Sequence, residues 1–147
     1  MKKAFLMLSL LLVIGVSLKA QLSPTFQTTD GAIRGYDPVA YFVSGKPVKG
    51  NKAFTYEWNG ADWNFANSQN LAAFKKSPEE YAPQYGGYCA YGTADGHKAP
   101  IDPEAWTIVS GKLYLNYDKN VKALWTKDQQ GLIKKADRNW PIIKDKK

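Results

Sequence analysis

Phe54-Thr55-Tyr56-Glu57-Trp58-Asn59-Gly60-Ala61-Asp62-Trp63-Asn64-Phe65 is the stretch on which the fold turns. Rings at 54, 56 and 58 alternate with Thr55 and Glu57, the period of a half-buried strand. Asn59-Gly60 is a hairpin dipeptide, here expected to be lengthened by Ala61-Asp62, and Trp63 and Phe65 resume the alternation. Directly downstream, Ser68 is placed to cap a helix through Leu71 and Phe74 that stops near Ser77-Pro78. A strand pair followed at once by a helix points to an α+β domain.

The flanks extend this pattern. Upstream, Asp37-Pro38 opens a helical turn carrying Val39, Tyr41 and Phe42, and turns follow at Ser44-Pro47 and Lys49-Lys52. Downstream, four tyrosines and the single cysteine fall between Tyr81 and Tyr91, with a short helix expected after Gly87. Thr93 to Pro103 reads as a loop holding Asp95, His97 and Asp102. Trp106, Ile108 and Val109, then Ser110-Gly111, then Leu113 and Leu115 form a second hairpin. Asp118 caps a closing helix whose apolar positions Val121, Leu124, Trp125, Leu132, Ile133, Ala136 and Trp140 keep a 3.6 period. Gly131 is expected to bend or split that helix, and Pro141 to stop it. The reading is one domain over residues 35–141, after a loosely held arm at 21–34 and before a basic tail at 142–147.

Residues 1–20 read differently. Lys2-Lys3 precede an apolar run from Ala4 to Val16, and Ser17-Leu18-Lys19-Ala20 closes it. That is the order of a secretory signal peptide, and the run is too short to span a membrane. The expectation is cleavage after Ala20 and an exported chain, periplasmic or secreted, with no membrane span after signal removal. The full chain carries 20 basic and 13 acidic residues, a net +7. Without Lys2, Lys3 and Lys19 it carries +4, and residues 119–147 hold nine basic residues against three acidic. Nucleic acid is a poor partner for an exported chain, so these lysines read as a solvated helix face.

With 147 residues and 44% hydrophobic content, the chain is long and apolar enough for one folded domain and unlike a disordered one. One Cys allows no internal disulfide. Both methionines lie in the signal, and one His excludes multi-histidine zinc and blue-copper sites. Phosphate-binding glycine motifs and a haem-attachment motif are missing.

Three segments together resemble the YHS domain family: Gly35-Tyr36-Asp37-Pro38-Val39-Ala40-Tyr41, the hairpin from Tyr56 to Asn67, and the helix from Ser68 through Phe74 to Pro78. Tyr85-Gly86-Gly87-Tyr88-Cys89-Ala90, Asp102-Pro103-x-Ala105-Trp106, Lys112 to Tyr117 and Asn139-Trp140-Pro141 are similar to that family's exported bacterial branch. The resemblance implies a small treble-clef-like module with two hairpins, packed helices and a C-terminal helix. It also implies a metal-handling setting in which cysteines are the ligands. At the positions where such members carry cysteine, this chain has Ala40, Ala66 and Asn70, so that thiolate set is lacking.

Cys89 is then the chemically distinctive group. A free thiol in an oxidising compartment is buried, ligated or reactive. Cys89 and His97, with Asp95 or Asp102, make the candidate site for a transition-metal ion or small ligand. Tyr36, Tyr85, Tyr88 and Tyr91 are the candidate pocket lining. Asp37 and Asp102, each before a proline, read as caps and turns. Three functions stay open: an exported binding module, a cofactor-free structural or protein-interaction domain of the cell envelope, and a thiol enzyme. The partner is an unidentified small ligand or an envelope protein.

Overall fold

The computed structural model describes residues 23–146. The signal segment therefore lies outside the described residues. Three antiparallel strand pairs and six α-helices build an α+β fold. They are β1 Gln27–Thr28 with β2 Gly31–Ala32, β3 Asn51–Trp58 with β4 Ala61–Phe65, and β5 Asp102–Val109 with β6 Lys112–Asn116. The helices are α1 Ala40–Val43, α2 Ser68–Lys76, α3 Pro78–Tyr81, α4 Ala90–Ala94, α5 Lys119–Lys127 and α6 Gln129–Ile143.

Both expected hairpins form, and with the same turn. Asn59 and Gly60 take φ of 51° and 75°, and Ser110 and Gly111 take 50° and 74°. Two successive left-handed residues make the tight turn whose twist matches paired strands, so β4 starts at Ala61 and the anticipated lengthening does not occur. Tyr56 then faces Trp63, and Trp106 faces Leu115.

Phe74 is the hub of the first core. It is fully buried, and the rings of Phe65, Trp63, Trp58 and Tyr56 lie 5.1, 5.3, 5.6 and 6.3 Å from its own. Asn67 places it there by accepting the Asn70 N–H at 2.8 Å, which fixes the start of α2 one residue before the expected Ser68 cap. A second cluster joins α4 to α5 and α6, with Trp125 buried 5.3 Å from Tyr114 and beside Leu132 and Ala136.

Three boundaries differ from the expectation. Residues 23–34 are tied down: Phe26 N–H donates to the Gly86 carbonyl at 2.8 Å, Thr25 Oγ1 donates to the Asn59 carbonyl at 3.0 Å, and Phe26, Ala32 and Ile33 are buried. The closing helix breaks at Asp128, whose carboxylate accepts the Gly131 N–H at 3.2 Å. The glycine is thus the third residue of a capped new helix and not the kink itself. Finally, α6 runs through Pro141 to Ile143, because burying Ile143 holds the last turn against the domain. The tail expected from residue 142 therefore starts after that helix.

Candidate functional site

Cys89 is the N-cap of α4 and is 2% exposed. Its Sγ accepts the Gly92 N–H at 3.5 Å, and its thiol donates to Asn116 Oδ1, also at 3.5 Å. Tyr91 N–H donates to the same Asn116 oxygen at 3.1 Å. Burial raises the thiol pKa, against the smaller opposing pull of the Gly92, Tyr117 and Tyr91 N–H groups. A raised pKa keeps the thiol protonated, which is the reverse of what a nucleophile or soft-metal ligand requires.

The other residues of the sequence-derived set do not join it. His97 and Asp95 are exposed and Asp102 is half-buried. His97 is fixed through its backbone, with its N–H donating to the Gly92 carbonyl at 3.0 Å. Asp102 accepts the Glu104 N–H at 2.9 Å, an ordinary turn contact. Among the described residues no three His, Cys, Asp or Glu side chains come together to hold a metal ion. Cys89, His97, Asp95 and Asp102 therefore do not form the mixed centre expected of them. The reason is topological. The tight α4 turn buries the sulfur under Asn116, whereas Asp95 stands exposed at the end of α4 and the His97 imidazole lies over Gly92.

The four tyrosines take different surroundings, although the Tyr85 and Tyr88 rings both pack on Trp140. Tyr36 lies under the Lys49 ammonium, 5.2 Å from its ring, and Tyr91 packs between the two cores. Tyr88 is buried, donating its hydroxyl to the Ser23 carbonyl at 2.7 Å. Tyr85 lines a cleft. That cleft has a volume of about 520 Å³ and is walled by Trp58, Tyr85 and Trp140, with Glu79, Lys112 and Asp137 at its rim.

Tyr85 occupies this position at a conformational cost. Its φ and ψ of 57° and 37° are left-handed, a state that costs a residue with a side chain about 1–3 kcal/mol. Gly86 and Gly87 continue the left-handed turn, and a Cβ at Gly86 would collide with the Pro24 carbonyl. The side chain is then pinned: its hydroxyl donates to Asp137 Oδ1 at 2.9 Å, and its ring lies 6.2 Å from Trp140. Burial, and then the bond to Asp137, raise the phenol pKa, so the hydroxyl stays a donor.

A third constellation is buried at the entrance to α1. Asp37 is 0% exposed and accepts four N–H groups: from Val39 at 2.8 Å and Ala40 at 3.2 Å on one oxygen, and from Ala66 at 2.8 Å and the Asn70 side chain at 2.7 Å on the other. This carboxylate ties α1, the end of β4 and α2 together.

Residues 39–85 match the family model of the YHS domain. The chain contains a YHS domain. Neither a curated protein nor a solved structure matches it. The match spans α1 to the Tyr85 turn, so the cleft lies where the YHS domain meets α6. It also suggests a metal-associated domain, and the residues present can be tested against that. Ala40, Ala66 and Asn70, which stand where the resemblance puts cysteines, are gathered around Asp37 through their N–H groups. Two of them have no donor atom in the side chain, and the Asn70 amide is committed to Asp37. A thiolate centre does not fit this YHS domain.

Sequence reasoning missed Trp58, Trp140, Glu79, Lys112 and Asp137 as one site. Trp58 and Trp140 fit the strand and helix periods so well that both read as core. The two glycines following Tyr85 were the only local signal of an unusual backbone.

Proposed function

We propose that this chain is an exported YHS-domain binding module that holds a small organic ligand in the Trp58–Tyr85–Trp140 cleft. The observation that carries the reading is Tyr85: a strained backbone places its ring in a cleft wall, and Asp137 holds it there. Strained residues of this kind concentrate at functional sites. The cleft volume lies in the range of about 300–1,000 Å³ usual for small-molecule sites, and its lining mixes rings with charged and amide groups. Export is supported by the charged, apolar and small-residue order of residues 2–20.

Two titrations of the full chain test this. Zinc or copper(I) is added while thiolate charge-transfer absorbance is followed, and a set of ring-bearing fragments is added while tryptophan emission is followed. The proposal expects no thiolate band, and a saturable emission change that Trp140→Ala removes and Cys89→Ala leaves intact. A stoichiometric metal band that Cys89→Ala abolishes overturns it.

A second reading, a protein-interaction domain, draws on four exposed large apolar residues: Val43, Tyr117, Leu124 and Ile142. Single exposed apolar side chains are common on any surface, so this reading ranks below the first.

A further inference from the structure

We infer that the ligand of this cleft is a saccharide, a neutral polyhydroxylated ring that stacks on aromatic faces and bonds to a rim of mixed charge. This rests on the cleft being the ligand site and adds the chemical class. The partly exposed aromatic walls come from two separate parts of the chain, Trp58 at the end of β3 and Trp140 in α6, with buried Tyr85 packed behind Trp140. Flat apolar surfaces of that kind suit the C–H face of a pyranose. The volume of about 520 Å³ leaves room for roughly a disaccharide.

The rim is of mixed charge, with Glu79 and Asp137 beside Lys112, so an organic anion would meet two carboxylates. No ion pair engages any of the three among the described residues, so each is available to a ligand. A hydroxyl group both donates and accepts, so a ring bearing several can satisfy the two carboxylates, the ammonium and the Gln84 amide together. Asp137 spends one oxygen on Tyr85 and keeps Oδ2 for a ligand hydroxyl. Tyr85 is therefore a positioning residue, since the carboxylate it orients is the one that meets the ligand.

The test is calorimetric titration of the full chain with cellobiose and, separately, with phenol. Saturable cellobiose binding is expected, weakened about tenfold by Trp140→Ala through loss of a stacking face. Glu79→Gln, at an exposed side chain that cannot upset the fold, is expected to weaken it about threefold. Lys127→Gln, on α5 away from the cleft, leaves it unchanged. Phenol binding without cellobiose binding overturns the saccharide class and leaves the cleft reading standing. Binding of neither overturns both. Cellobiose binding indifferent to Trp140→Ala and Glu79→Gln places the sugar elsewhere and also overturns the inference.

Discussion

Replacing Asp37 by alanine removes an acceptor on which four N–H groups converge, three of them in buried bonds. The loss can be worked from those contacts. Val39 and Ala40 lose the cap on the first turn of α1, worth about 1–2 kcal/mol. The Ala66 N–H and the Asn70 amide are left without an acceptor, one partly buried and one buried, at about 1–3 kcal/mol each. The sum is about 3–8 kcal/mol, a large part of the 5–15 kcal/mol that holds a domain together. Asn70→Ala removes one donor and leaves the carboxylate three others, so about 1–2 kcal/mol is expected there. Urea unfolding followed by tryptophan emission measures both. A loss below about 1 kcal/mol in Asp37→Ala, or equal losses in the two variants, would refute the idea that this carboxylate is the junction of α1, β4 and α2.

Other consequences are as direct. Cys89 should resist iodoacetamide at neutral pH in the folded chain and react fully in urea, because burial raises its pKa; mass spectrometry reads this. Cys89, Tyr41 and Tyr85 all have folded-state pKa values above their ordinary 9.0, 10.0 and 10.0, so the unfolded chain releases protons first as pH rises. Stability is then full below about pH 8 and falls above about pH 9–10, by about 1.4 kcal/mol per pH unit for each suppressed group; urea midpoints at pH 8 and pH 11 check the sign. Trp125 is fully buried and its indole N–H has no partner among the described residues, so Trp125→Ala should cost about 3–5 kcal/mol and Trp125→Phe markedly less. Amino-terminal sequencing of chain recovered outside the cytoplasm should begin near Gln21.

What was legible in the chain depended on distance. Phe54 to Phe65 and Trp106 to Leu115 declare their hairpins because strand period and turn residues are local signals, and Asp118 declares its cap for the same reason. The buried arm was hidden because Phe26, Ala32 and Ile33 are too few to show a period, and their partner, the Gly86 carbonyl, lies 60 residues away from Phe26. The break at Asp128 was misplaced onto Gly131 because glycine is the louder signal, although the capping carboxylate decides where a helix begins. Ile33 and Arg34 take left-handed φ of 44° and 59°, which a β-branched residue adopts only under tertiary constraint. Here the Ile33 N–H bond to the Phe26 carbonyl at 3.1 Å holds the first and the Arg34 Nε–H bond to the Ile101 carbonyl at 2.8 Å the second.

For the site, chemistry by residue type pointed at Cys89 and His97, the rarest side chains in the chain. Spacing of eight residues said nothing about burial, and α4 encloses Cys89 while His97 stays exposed. The cleft escaped notice because its walls are residues 58, 85 and 140, which no short motif connects. Asp137 looked like one more charge on an exposed helix face. Its role is visible only once the Tyr85 hydroxyl is seen to reach it.

The central claim is that ligand meets the chain at Trp58 and Trp140. The chain has five tryptophans, and their indole N–H signals in a nitrogen-15 correlation spectrum report on each one separately. During a cellobiose or phenol titration the account predicts progressive shifts at Trp58 and Trp140, with Trp106 and Trp125 unmoved. Shifts confined to Trp106 or Trp125, or none at any tryptophan up to saturating probe, would contradict it.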